Sequence, residues 1–167
     1  EIVRGDWSSD VCSSDLRPIL IEIQALVTRT NFGLPSRTTV GIDYNRVNLL
    51  MAVLEKRAGL HLGDWDAYVN LAGGMKLGEP AIDLGVVMAI ASSYKNKVVD
   101  EGLLIFGEVG LSGEVRGVNM AEQRVREGEK LGFTACLMPK ANLDSLQGKY
   151  KIQLIGVSNI KEAMGYI

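Results

Sequence analysis

One stretch of this chain limits its possible folds more than any other. Residues 81–94, AIDLGVVMAIASSY, follow Pro80 and are apolar on nearly all sides of a helical projection. A helix without a polar face belongs inside a protein or inside a membrane. No apolar run in the chain approaches the roughly 20 residues of a membrane span, so a buried central helix is expected and the other residues must enclose it. A chain of 167 residues is long enough to do this as one domain, without a disulfide or metal staple.

The flanking segments supply the layers. Residues 18–30 are rich in β-branched and apolar residues and suit a long strand. The turn sequence NFGLPS leads to a second alternating segment at 37–42. Asp43 or Asn45 can cap a helix whose apolar positions Val47, Leu50, Met51, Leu54 and Ala58 recur at helical spacing before Gly59. Trp65, Ala67, Val69 and Leu71 alternate as a third strand. Segments 103–108 and 114–118 read as a hairpin around the turn glycines Gly110 and Gly113. Asn119 and Glu122 have capping-box spacing before a helix that ends near Gly132. Strands are expected at 134–138 and 152–155, with Ser158 capping a short last helix. Irregular alternation of strands and helices with one hairpin predicts a mixed-sheet α/β (α+β) domain.

The first sixteen residues, EIVRGDWSSDVCSSDL, differ in kind. Ser-Ser-Asp occurs at 8–10 and again at 13–15, without helical or strand periodicity. The basic and apolar regions of a signal peptide are lacking. The segment is read as foreign, non-native and disordered, with a native disordered lead-in as the alternative, and residues 17–167 are read as the domain. The whole chain has 18 Lys and Arg against 20 Asp and Glu, a formal net charge of −2; outside the first sixteen residues the balance is 17 to 16. Such a balance exerts no global pull on phosphates, so any nucleic-acid contact must come from local clusters. Two cysteines and one histidine exclude a Cys/His-rich structural zinc site and argue against a disulfide scaffold, which makes the cytoplasm the default compartment. Cys136 lies in an apolar run and reads as a core residue; His61, after a helix stop, reads as a surface residue. No G-x-x-x-x-G-K-[ST] phosphate cradle is present.

Residues 17–74 contain IEIQALV and GIDYNR; GEPAIDLGVVMAIASS (78–93), FGEVGLSGEVRGV (106–118) and LGFTACLMPKANL (131–143) follow in order. In this order the segments resemble the C-terminal domain of the RadA (Sms) family of bacterial DNA repair proteins. The resemblance implies a Lon-protease-like (ribosomal protein S5 domain 2-like) fold. In that family the domain follows a four-cysteine zinc finger and a RecA-like ATPase core. Neither is in this chain, so ATP, magnesium and zinc are expected only in the full-length protein, and no cofactor is expected here. The resemblance further implies a homo-hexameric, ATP-driven motor that acts on single-stranded or branched DNA beside a recombinase filament. This domain would be its non-catalytic platform for ring assembly and DNA contact in recombinational repair and branch migration.

An active Lon-family peptidase is the alternative. Its Ser-Lys dyad sets a serine after a proline at the start of the central helix, and a lysine on a later helix that must lose its proton near neutral pH. By the resemblance these positions fall on Ala81 and Glu122, a methyl group and a carboxylate. Substitute pairs such as Ser92 or Ser93 with Lys95 are close in sequence, but both serines lie well inside the expected helix and not at its opening. A third reading is a Lon-like domain of the magnesium-chelatase-related ATPases, which share the fold; GIDYNR and FGEVGLSGEVR favour the RadA family. For contact with DNA or a neighbouring subunit the candidates are Arg37, Arg46, Lys56, Arg57, Arg116, Arg124 and Arg126, with Arg37 and Arg46 first and Arg29 beside them. For each the plain alternative is a solvated charge, and for Lys56 and Arg57 a favourable charge at a helix C-terminus. Arg46 could instead pair with Asp43 or Asp83 of a neighbour. Asp83, flanked by Ile82 and Leu84, is either an acid favoured by the helix dipole or half of a structural ion pair with Lys76 or Arg116.

Overall fold

The structure, a computed structural model, describes residues 2–8, 18–31, 33–74 and 76–167, the first of these segments by its main chain only. Four strands, β1 (Ile2–Ser8), β2 (Ile19–Arg29), β3 (Arg37–Val40) and β4 (Trp65–Leu71), form one sheet in the order β1-β2-β4-β3. β2 is antiparallel to β1 and β4, and β3 is parallel to β4, so the sheet is mixed. Ile21, Ile23, Ala25 and Val27 of β2 and Ala67, Val69 and Leu71 of β4 are buried on one face, as the period-2 pattern requires. Helix α1 (Tyr44–Ala58) connects the parallel pair. Asp43 is its N-cap, its carboxylate accepting the Arg46 N–H at 2.8 Å, and Gly59 ends it at φ 73°.

A 3-10 turn, Pro80–Ile82, leads into helix α2 (Asp83–Lys95), buried continuously from Asp83 to Ser92. α2 lies against β2, β4 and α1. A second sheet contains β5 (Leu103–Ile105), β8 (Ala135–Pro139) and β9 (Gln153–Val157), all parallel in the order β5-β8-β9. Between them in the chain come the hairpin β6 (Glu108–Val109) and β7 (Val115–Arg116), then α3 (Ala121–Lys130); α4 (Lys140–Leu143) and α5 (Ile160–Ala163) complete the fold. A smaller apolar cluster that includes Leu104, Phe106, Val125, Cys136, Met138 and Ile152 joins the second sheet to α3. The result is a mixed α/β domain with a buried central helix, as expected. Among the described residues no helix is long and apolar enough to cross a membrane.

Four local expectations are corrected. The opening segment, expected to lack regular structure, pairs as edge strand β1 along β2, with Ile2 opposite Gln24 and Ser8 opposite Ile19; strand pairing is a main-chain interaction and requires no periodicity in the sequence. The rest of that segment lies outside the described residues. Segment 103–108 does not run as one hairpin arm. It splits into β5 and β6 because Gly107 turns its main chain to α2, its N–H donating to Ala81 O at 2.8 Å and its carbonyl accepting the Leu84 N–H at 3.0 Å. A Cβ on Gly107 would stand 3.1 Å from Val115 and 3.3 Å from Leu84 and Pro139, tighter than ordinary contact, so these side chains would have to give way. The capping box at Asn119 and Glu122 does not form: α3 starts after Met120 at φ 59° with no side-chain cap. At the last helix Asn159, not Ser158, is the cap, accepting the Glu162 N–H at 3.0 Å.

Gly128 marks where α3 meets the second sheet, since a Cβ there would come within 2.5 Å of Leu104 Cδ2. Gly128→Val is expected to destabilise the domain by about 1–3 kcal/mol despite replacing a helical glycine. The urea unfolding midpoint measures this, and an unchanged midpoint would contradict the close helix-sheet contact.

Candidate functional site at the mouth of the central helix

The start of α2 is built by main-chain bonding to Gly107 and by two ion pairs. Asp83, 1% exposed, opens the helix in the first turn. Its Oδ1 accepts the Arg46 Nε–H at 2.9 Å, and its Oδ2 accepts both the Arg46 Nη2–H and the Val109 N–H, the latter at 3.1 Å. Arg46 Nη2 also donates to the Val109 carbonyl at 3.1 Å. One guanidinium thus ties α1 to α2 and β6. Burial pushes the Asp83 carboxyl above the ordinary carboxylate range against the opposing pull of Arg46 and the Val109 N–H. The hydrogen bond to Asp83 holds the Arg46 guanidinium more firmly protonated. Asp83 is therefore both a first-turn acid and half of an ion pair, as the two sequence readings proposed. Its partner is Arg46 of the same chain, not Lys76 or Arg116.

The second pair reaches the mouth from α3. Arg124, 2% exposed, donates from Nη2 to Glu79 Oε1 at 3.2 Å and from Nε to Asn119 O at 3.1 Å, and its guanidinium lies 5.9 Å from the Phe106 ring centroid. Glu79 immediately precedes Pro80 and Ala81. The two pairs bracket a cavity of about 270 Å³ bordered by Ile42, Asp43, Glu79, Pro80, Asp83 and Glu108. Among the described residues lining it there is no Ser, Thr, Cys, His or Lys.

The two positions that the resemblance assigns to the dyad lie as follows. Ala81 is fully buried and presents a methyl group. Glu122 accepts the Tyr150 O–H at 2.8 Å and lies 3.6 Å from Arg126. Burial first, then Glu122, raises the Tyr150 phenol. The cations at the mouth are Arg46 and Arg124, both guanidiniums held in ion pairs, to Asp83 and Glu79. Ser92 is buried with its hydroxyl on the Lys97 carbonyl, and Ser93 Oγ accepts the Val27 N–H at 3.0 Å. Both hydroxyls serve the far end of α2. Cys136 is buried and its thiol is pushed far up by desolvation, so it offers no thiolate. His61 is exposed, as expected. Among the described residues no group of His, Cys, Asp and Glu is placed to hold a metal ion.

Most of the basic candidates have partners within the chain. Arg37 donates to the carbonyls of Ser36 and Leu62, both at 3.2 Å, and of Trp65. Arg29 lies 3.9 Å from Asp64 and 5.8 Å from the Trp65 ring. Arg116 pairs with Glu114 at 2.7 Å and Glu108 at 3.7 Å. Lys56 and Arg57 end α1 and are exposed. Sequence reasoning missed Glu79 as the partner of Arg124, and Lys161, which lines a cavity with Lys56 and Arg57. Separations of 45 residues for the first and about a hundred for the second leave no local signal for either.

Removing Arg46 leaves Asp83 buried with one N–H donor. Arg46→Met is expected to cost about 3 kcal/mol near pH 8. The stranded carboxyl then binds its proton at a higher pH in the folded than in the unfolded chain. Its contribution is therefore favourable at low pH and is lost as pH rises through the raised folded value. Urea midpoints at pH 5.5 and pH 8 should differ more in Arg46→Met than in the parent; equal differences would contradict the pairing.

Comparison with known proteins places the chain. It is 55% identical over 162 residues to DNA repair protein RadA of Bacillus subtilis, a match covering 96% of this chain and 35% of that protein. RadA of Streptococcus pneumoniae is 56% identical over 148 residues (89% of this chain, 35% of that protein), and RadA of Halalkalibacterium halodurans 47% over 171 (98% and 37%). The chain thus spans about a third of the length of the curated relatives it matches. Residues 27–142, well over half of the chain, match the family model for subunit ChlI of Mg-chelatase. With Arg46, Asp83 and Arg124 all inside that matched segment, the chain belongs to the family described as subunit ChlI of Mg-chelatase, and its similarity to RadA proteins extends over most of its length.

Proposed function

We propose that this chain is a Lon-protease-like domain without peptidase activity, which serves ring assembly and DNA contact in a RadA-type DNA repair ATPase. The observation that carries the DNA repair reading is identity of 47–56% to RadA proteins over 89–98% of the chain. In this reading the full-length protein is a cytoplasmic homo-hexamer. It supplies ATP and magnesium chemistry from a RecA-like core, and a zinc finger, outside these residues. It acts on single-stranded or branched DNA beside a recombinase filament during recombinational repair and branch migration.

The chemistry of the mouth supports a non-catalytic role. A Ser-Lys peptidase requires an alcohol to attack and an amine to take up its proton. Here the corresponding positions hold the Ala81 methyl and a Glu122 carboxylate engaged with Tyr150. The nearby Arg124 is fixed by Glu79. What surrounds the start of α2 joins elements together.

The outer face of the first sheet supports assembly. Leu26, Val40 and Tyr68 are 55%, 51% and 43% exposed and border a hollow of about 440 Å³ with Thr38. A second copy of the chain is the partner this reading assigns to the patch.

Two measurements check the proposal. The purified chain should leave casein intact and form no adduct with a serine-directed fluorophosphonate; labelling, or cleavage abolished by Ser92→Ala or Ser93→Ala, would establish the peptidase alternative. Light scattering should give a mass above the monomer, shifted toward monomer by Leu26→Glu with Tyr68→Glu. A strictly monomeric parent chain would overturn the assembly part.

A further inference from the structure

Three cations that sequence separates are brought to one cavity. Lys56 and Arg57 close α1, and Lys161 lies in α5. With Ser112 and Gly113 of the β6–β7 turn and Ile160, they line a pocket of about 320 Å³. Its lining includes no carboxylate. Arg29, Arg46, Arg116, Arg124 and Arg126 all have acidic partners, whereas Lys56, Arg57 and Lys161 make no ion pair among the described residues.

The pocket has a fixed frame. Ile160 N–H donates to Gly113 O at 2.9 Å, and Val115 N–H to Ser158 O at 2.8 Å, which ties the hairpin to the start of α5. Gly113, at φ 80°, lies so close to α1 that a Cβ would stand 3.1 Å from Arg57 Cβ. A side chain here would be strained and would collide with the Arg57 stem. Two acids next to lining residues in the chain are engaged elsewhere: Glu114 accepts from Arg116 and the Ser112 N–H, and Glu162 from the Ser158 N–H and the Asn159 amide. Three like charges held around one hollow repel one another, and a bound anion removes that cost.

We infer that Lys56, Arg57 and Lys161 form a phosphate-binding pocket for the backbone of a nucleic acid. The inference deepens the DNA-contact reading above and rests on it. The mouth of α2 is a poor alternative for this ligand: Asp43, Glu79, Asp83 and Glu108 border it and Arg46 is the one cation among its described lining residues, so its lining is net negative. The pocket offers cations and one hydroxyl but no aromatic side chain for a base to stack on, so contact here is chiefly with phosphates and carries little sequence preference.

The test is fluorescence anisotropy of the whole chain with a labelled oligothymidylate, between about 50 and 200 mM salt. Substituting Lys56→Gln, Arg57→Gln and Lys161→Gln together should weaken binding about tenfold or more and lower the salt slope by about two to three, roughly one for each phosphate that is no longer neutralised. Lys161→Glu alone should weaken binding measurably. All three side chains are exposed, and an unchanged thermal melt verifies the fold. Parental affinity and slope in the triple variant overturn the pocket; if Arg37→Glu or Arg116→Glu then abolishes binding, the DNA-contact reading survives without it. Absence of salt-sensitive binding by the parent chain overturns both. Heat of inorganic phosphate binding that disappears in the triple variant, with oligonucleotide affinity unchanged, assigns the pocket to a free anion and overturns the nucleic-acid assignment.

Discussion

A helix with no polar face has to be covered on every side, and most of this structure follows from covering α2. The mixed sheet supplies one wall through β2 and β4, and α1 packs alongside. Because the enclosure is nearly complete, each polar group on the helix must find a partner within the protein. Ser92 bonds the Lys97 carbonyl, Ser93 takes the Val27 N–H, and Asp83 is held by Arg46 and the Val109 N–H. The same requirement that buries the helix thus determines the chemistry left at its two ends.

At the mouth this chemistry is structural. Arg46 joins α1, α2 and β6 through one carboxylate and one carbonyl, and Arg124 anchors α3 to the residue before Pro80. A buried ion pair adds little net stability compared with apolar packing, but losing either partner is costly because the other charge is left in a dry site. Such a joint specifies how elements meet. Among the described residues that line the cavity there is no serine or lysine.

Charge is divided in space in a way the near-neutral total conceals. Acids cluster at the mouth, where they pair with Arg46 and Arg124. Three of the cations that make no ion pair among the described residues, Lys56, Arg57 and Lys161, meet instead where α1, the hairpin turn and α5 converge. The apolar patch of Leu26, Val40 and Tyr68 lies on the solvent face of the first sheet. The proposed assembly and DNA-contact roles would use the last two of these surfaces.

Much of this was legible in the residues. Period-2 alternation gave β2 and β4 their buried faces, helical spacing with Asp43 and Gly59 bounded α1, and the all-round apolar run after Pro80 announced the buried helix. These signals are local, carried by side-chain periodicity and capping within a few residues. That the nucleophile position implied by the resemblance falls on Ala81 could be read directly from the residues, and the structure buries its methyl group. Partners were only partly legible: Arg46 and Asp83 were named as a pair, but across subunits, and they meet within one chain. Asp83 could have met Lys76 or Arg116, yet it meets Arg46, 37 residues away. The 103–108 segment read as one strand but is broken at Gly107, whose main chain is drawn to α2. The pocket of Lys56, Arg57 and Lys161 exists only because the hairpin and α5 dock on the end of α1. Local sequence determines which elements form and which faces they bury; which charges meet depends on how those elements pack, and that distance information is held only by the folded chain.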